Sequence, residues 1–177
     1  TKNENDTKKA IHYLTLASKN NHPLGQFLLG RYYFNQGYIN KGNRYLNYSS
    51  QNGYYEANIF LGDLYLEGKY FKRDIKKSIS LYKKASNNYN SHAKNNLGFI
   101  YKHGFEGIGK NLILAKEYFE EAIRYENNSV SMYNLANLLI DENENDHEYS
   151  KPIKLLIDSA SQYSYPSIEF LILLLFK

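Results

Sequence analysis

The chain has 177 residues, no cysteine and a formal net charge of +4. That length suits one ordinary domain. The lack of cysteine excludes a disulfide framework and thiol chemistry, and so modest a charge neither demands nor excludes an acidic partner. Abundant Asn, Lys, Ile and Tyr read as the codon bias of an AT-rich genome.

In chain order, residues 1–8 are polar and read as a frayed or disordered segment. A helix is then expected from about Lys9 to Asn20. Pro23 opens the next, as proline can in a first turn, and Gly37 suits its end. A third runs from Asn40 to Asn52 and stops at Gly53. Tyr55–Glu67 is closed by Gly68. Asp74 has the chemistry of an N-cap for a helix through Ala85. Ser91–His103 and Asn111–Glu126 follow, the latter with Asn111 as cap. Ser129–Ile140 precedes an acidic loop, Asp141–Glu148. Ser150 is expected to cap a helix holding Pro152 in its first turn and running to about Gln162. Pro166 opens a last, strongly apolar segment, Ile168–Phe176, far short of the ~20 residues of a membrane span.

Two patterns recur through these segments. Ala57, Leu61, Gly62, Tyr65 and Gly68 return as Ala93, Leu97, Gly98, Tyr101 and Gly104 at the same internal spacing. Gly25, Leu29, Gly30 and Tyr33 precede them; Ser131, Leu135, Ala136 and Leu139 follow, then Ser167, Leu171 and Ile172. Between copies, small residues stand seven apart: Gly42 and Ser49, Ser78 and Ala85, Ala115 and Ala122, with Ala10 and Ala17 before them and Pro152 and Ser159 after. Spacings of four, five and eight place the first set on one helical stripe, and seven is nearly two turns. The unit is a helix, a short turn and a second helix. Small residues let the two axes cross closely, while Leu and Tyr fill the space beside the crossing. Neither helix buries its stripe alone, so the units must stack.

Ala-x-x-x-Leu-Gly-x-x-Tyr-x-x-Gly followed by Ala-x-x-Tyr-Phe-x-x-Ala resembles the SEL-one-like repeat (SLR), a tetratricopeptide-like family. The resemblance covers nearly the whole chain, best at Ala57–Ala85 and Ala93–Ala122. Gly25, Ala136 and Ile172 depart from the pattern. It implies an all-α fold, a right-handed α-α superhelix (solenoid) of stacked antiparallel helix pairs. Residues 9–177 then form a single solenoid of about four repeats plus flanking single helices, cut from a longer protein. The final apolar helix is either a first helix whose cover is missing or a self-association surface, and it should be sticky in isolation.

Several motifs imitate chemistry. Gly104-Phe-Glu-Gly-Ile-Gly-Lys110-Asn111 approaches a phosphate-binding loop, but Asn111 replaces the Mg²⁺-binding hydroxyl and a helix precedes it where a strand is required. Asp141-Glu-Asn-Glu-Asn-Asp146 begins like a calcium loop, but Asp146 replaces the turn glycine and Pro152 the bidentate Glu. His92 and His103 share a face yet stand ~16 Å apart along the axis, too far to ligate one metal. Asn5, Asn47 and Asn127 open glycosylation triplets that an Asn-rich chain produces by chance. The basic run Lys69, Lys72, Arg73, Lys76, Lys77, Lys83 and Lys84 reads as a solvated face, with a patch for an acidic partner as the alternative, and other repeats do not extend it into a nucleic-acid groove. No catalytic, cofactor or metal residues emerge.

In solenoids of this resemblance the first helices line the concave surface. Residues two before and two after each motif Leu share a face there: Phe27, Ile59, Asn95 and Tyr133 in one row, Arg31, Asp63, Phe99 and Asn137 in the other. Apolar anchors among polar groups suit a protein or peptide segment. The expectation is a noncatalytic interaction scaffold with no small-molecule substrate, nucleic acid or membrane span. The alternative is the regulatory or recruiting part of a larger enzyme. Nothing fixes a compartment; cytoplasmic is the default.

Overall fold

The structure is a computed structural model that describes residues 2–87, 90–142 and 149–175. Among these are ten α-helices and no strand, only an isolated bridge between Phe105 and Ile108. They are α1 (Lys2–Lys19), α2 (Pro23–Asn35), α3 (Ile39–Gln51), α4 (Tyr55–Glu67), α5 (Ile75–Ser86), α6 (Ser91–His103), α7 (Leu112–Glu126), α8 (Ser129–Glu142), α9 (Ser150–Ala160) and α10 (Tyr165–Leu175). The fold is all-α, built from helix pairs. The chain divides into two compact units, residues 1–85 and 86–177.

Most helix ends lie where local chemistry places them. The Asp74 carboxylate accepts from the Lys77 amide at 2.9 Å, and the Asn111 amide oxygen accepts from Leu114 N–H at 2.9 Å. Gly68 closes α4 in the left-handed region at φ +71°, a conformation costly for a side chain. Some boundaries differ from the sequence reading: α8 runs on to Glu142, into the stretch expected as an acidic loop, and α9 ends at Ala160. α1 begins at Lys2 and not near Lys9, because nothing between them is a Gly or Pro that would break a helix. Ser150 is the first helical residue, and Tyr149 holds the cap position with no side-chain capping bond to the helix. His22 and Asn90, which the sequence reading passed over, cap α2 and α6 by accepting from Gly25 and Ala93 N–H. The calcium-like stretch falls partly on residues 143–148, outside the described residues, as do Phe176 and Lys177.

The small-residue crossing is as close as the sequence requires. A β-carbon on Gly62 would stand 2.6 Å from the Tyr82 ring, and one on Gly98 would stand 2.6 Å from Phe119. In the first repeat both partners are glycine: a β-carbon on Gly42 would lie 2.8 Å from the Gly30 carbonyl oxygen. In the second, Ser78 takes the place of Gly42, and its hydroxyl donates to the Gly62 carbonyl at 2.9 Å. The fourth repeat has Ala136 opposite the register of Leu156, both fully buried.

The motif tyrosines also repeat their partners. Tyr33 stacks on Tyr45 (5.7 Å, 17°) and Tyr101 on Tyr118 (5.9 Å, 7°), at equivalent positions of the first and third repeats. Lys41 sits 3.9 Å over Tyr33, and its equivalent Lys77 sits 4.1 Å over Tyr65. The Lys77 ammonium also donates to the Tyr65 hydroxyl at 2.7 Å. Part of the basic run is thus engaged with the protein's own aromatics.

One hydrogen bond marks the fourth repeat as a true copy. Ser49 Oγ donates to the Pro23 carbonyl at 2.7 Å, and Ser159 Oγ donates to the Ser129 carbonyl at 2.7 Å. Each serine is the second small residue of its helix, and each carbonyl lies two residues before the small residue that opens the first motif.

Candidate interaction surface

In the first unit, Phe27 is only 8% exposed and belongs to the core with Phe34, Leu61 and Leu64. Its ring meets Tyr54 at 5.1 Å and Phe60 at 6.3 Å. Arg31 is exposed, its guanidinium 5.6 Å from the Phe27 ring centroid and 5.9 Å from that of Phe60. Arg31 therefore lies across an aromatic floor with its charge toward solvent. Ile59 is half-buried. Asp63 is half-buried and accepts from the Tyr82 hydroxyl at 2.5 Å. The aromatic partner of Phe27 across the helices is thus Phe60, one residue from the expected Ile59. Phe60 stands beside the motif Leu, and no motif position flagged it.

In the second unit, Asn95 is 9% exposed. Its amide oxygen accepts from Ser131 Oγ at 3.1 Å and from Asn134 Nδ2 at 2.9 Å. This bond set joins α6 to α8. It continues through Asn128, whose oxygen accepts from Ser131 N–H and whose nitrogen donates to Ser91 Oγ. Ser91 in turn donates to Glu126. Buried amides paired this fully fix how neighbouring repeats meet. Phe99 is 38% exposed, with His103 at 4.4 Å and Phe105 at 6.5 Å. Partial desolvation, with help from Lys102 and Lys110, pushes the imidazole of His103 down in pKa although the residue stays exposed. Tyr133 meets Phe170 of α10 at 6.2 Å, and Asn137 is half-buried.

Phe27 and Asn95 thus hold repeats together from below, whereas Arg31 and Phe99 face solvent. Tertiary burial depends on the angle between neighbouring repeats, which helical spacing does not contain. Beyond these rows, the apolar α10 exposes Ile168, Ile172 and Leu173. Among the described residues, no helix is long and apolar enough to cross a membrane. The segment before the phosphate-loop imitation is α6, a helix, and the loop itself is the turn from α6 to α7.

Paired helices crossing at small residues, with the same contacts repeated along the chain, define a helical-repeat solenoid protein. Its family is also fixed by sequence. The Sel1 repeat model matches residues 4–22, 23–53, 56–90 and 91–124, more than half of the chain, and the chain belongs to the Sel1 repeat family. Solved structures agree. A Sel1 repeat protein from Oxalobacter formigenes superposes with a TM-score of 0.79 over 90% of this chain and 66% of that one, at 20% identity. The Helicobacter pylori cysteine rich protein B is 31% identical, with a TM-score of 0.54, covering 71% of this chain and 92% of that one. Among curated proteins, the "ERAD-associated E3 ubiquitin-protein ligase component HRD3B" of Arabidopsis thaliana is 34% identical over 76 residues, 43% of this chain and 12% of that protein. The "putative sel1-like repeat-containing protein L21" of Acanthamoeba polyphaga mimivirus is 33% identical over 99 residues, 56% of this chain and 18% of that protein. The chain thus spans less than a fifth of either curated relative.

Proposed function

We propose that the chain is a noncatalytic scaffold that holds a protein or peptide segment against the first helices of its repeats. The observation that supports this is the exposed face of α6, where Phe99 stands in solvent beside His103 and Phe105. A partly exposed aromatic that a partner can cover is a common anchor of a protein contact. In the first unit Arg31 offers charge over Phe27 and Phe60 in the same manner. Ile59, Tyr133 and Asn137 form half-buried rims, and Asp63 is tied to Tyr82 beside them. Phe27 and Asn95 set the position of the others.

A second reading has support of its own. The Arabidopsis relatives are named components of a ubiquitin ligase, so a repeat segment that recruits proteins to an enzyme elsewhere in its own chain or complex fits the same surface.

The test is affinity capture from source-cell lysate with wild type and the double variant Arg31→Ala, Phe99→Ala. Both residues are exposed, so circular dichroism should be unchanged. A protein retained by wild type and lost by the variant supports the first-helix face. Equal retention moves the contact to another surface. Recovery of an enzyme subunit favours the second reading.

A further inference from the structure

A cleft of about 390 Å³ opens in the first unit where α1, α2 and α3 meet. That lies within the size range of small-ligand and short-peptide pockets. Its walls come from the second helices of two successive repeats, so it is separate from the first-helix face above. The lining is rich in amides and hydroxyls and includes no carboxylate: Ser18, Asn21, Gln26, Gln51 and Asn52, with Tyr45 and Tyr48 as aromatic walls.

The base of the cleft is wired. Gln26 is 2% exposed. Its amide nitrogen donates to the Ser18 carbonyl at 3.4 Å, and its oxygen accepts from Asn52 Nδ2 at 2.8 Å. Asn52 itself is exposed. One of its N–H groups is therefore committed inward, which fixes the plane of the carboxamide. The oxygen and the second N–H are left to the cleft. A carboxamide held in one plane offers a donor and an acceptor side by side. That pair complements the C=O and N–H of an extended main chain, which must be satisfied wherever a peptide is taken out of water. The aromatic walls are braced as well. Tyr48 accepts from Arg44 Nε at 2.7 Å, and Tyr45 is stacked on Tyr33. Preorganisation of this kind lowers the ordering cost of binding.

We infer that this cleft is a second binding site, for an extended peptide read through its main chain by Asn52 and laid against the wall that Tyr45 and Tyr48 form together, their rings packed edge to face at 6.3 Å. Lys19, the last residue of α1, lines the same cleft and gives it a preference for a carboxylate at one end of the segment. A sugar fits less well. It brings a surplus of hydroxyl donors, and the lining has no carboxylate to receive them.

The test is a titration of the ¹⁵N-labelled chain, followed on the side-chain NH₂ signals of Gln26 and Asn52. The probes are N-acetyl-trialanine amide, N-acetyl-trialanine with a free carboxylate, the fully N-methylated trialanine amide, and maltotriose. The expected result is saturating shifts with the first two, tighter for the carboxylate. Binding should weaken at least about tenfold on N-methylation and in Asn52→Ala, read there on Gln26. Tyr48→Ala supplies the same comparison should Asn52→Ala lose its fold. Absence of saturation with both unmethylated peptides overturns the proposal. So does binding indifferent to N-methylation or to the substitution, or saturation of these signals by maltotriose alone. Loss of the first-helix contact in the capture experiment leaves this outcome untouched, because the two sites share no residue.

Discussion

The Tyr82 ring lies across Gly62 so closely that a β-carbon there would stand 2.6 Å from its Cε1. The phenol of that fully buried ring donates to Asp63, the next residue of the same helix. One tyrosine of α5 thus reads two consecutive residues of α4: the first must be absent as a side chain and the second must accept a hydrogen bond. Gly62→Leu forces the ring or the helix aside and should cost about 1–3 kcal/mol by overpacking. Gly109 has nothing within 4 Å of its β-carbon position, so Gly109→Leu should stay within about 0.5 kcal/mol of wild type. Urea unfolding of the two variants checks this. Equal midpoints would remove the close crossing.

Tyr82→Phe keeps the packing of the ring and removes its bond to the Asp63 carboxylate. A hydrogen bond to a charged group contributes about 1.5–3 kcal/mol, and a loss in that range is expected. The double variant Tyr82→Phe, Asp63→Asn should cost less than the sum of the single changes, since the two residues share the bond. Additive losses would mean that Asp63 and Tyr82 act separately.

The crossing was legible in the sequence because it depends on residue size at fixed spacing. Gly62, Gly98, Gly42 and Ser78 all lie where the pattern required small residues, and each meets the facing helix. The candidate surface was only half legible. Helical period puts Phe27 and Arg31 on one face, yet Phe27 is buried and Arg31 is not. What separates them is the neighbouring repeat, whose Tyr54 and Phe60 cover Phe27. Asn95 resembles a surface amide in sequence, and only the approach of Ser131 and Asn134 on α8 makes it a buried acceptor. The caps His22 and Asn90 were readable in principle, each standing three residues before the amide it accepts from.

The paired serines give a third expectation. Ser49→Ala removes one hydroxyl-to-carbonyl bond and should cost about 1 kcal/mol. Ser159→Ala should cost more. Ser159 Oγ donates to Ser129 and also accepts from Ser167 Oγ, which is buried, so its loss removes a bond from a buried hydroxyl. Thermal unfolding orders the two variants. The reverse order would contradict the role of Ser159 in seating α10.

His103 gives a pH dependence of definite sign. Its ring lies 4.4 Å from Phe99, and partial desolvation, Lys102 and Lys110 all disfavour the imidazolium, while Asp141 opposes them. The folded-state pKa is therefore lowered below the unfolded value of ~6.5. The native state binds fewer protons than the unfolded chain in that window, so stability falls as the pH drops from above ~6.5 through the lowered folded value. Above that window the contribution is fully present. Histidine ring NMR should place the His103 titration below the unfolded value, and Phe99→Ala should move it upward by letting water reach the imidazolium. His103→Gln should flatten the fall in stability as the pH drops below ~6.5. The same residue flanks the proposed Phe99 anchor, so a partner seated on Phe99 should lower the His103 pKa further by desolvation and release slightly as the solution is acidified. A His103 titration unchanged by a bound partner would place that partner away from α6.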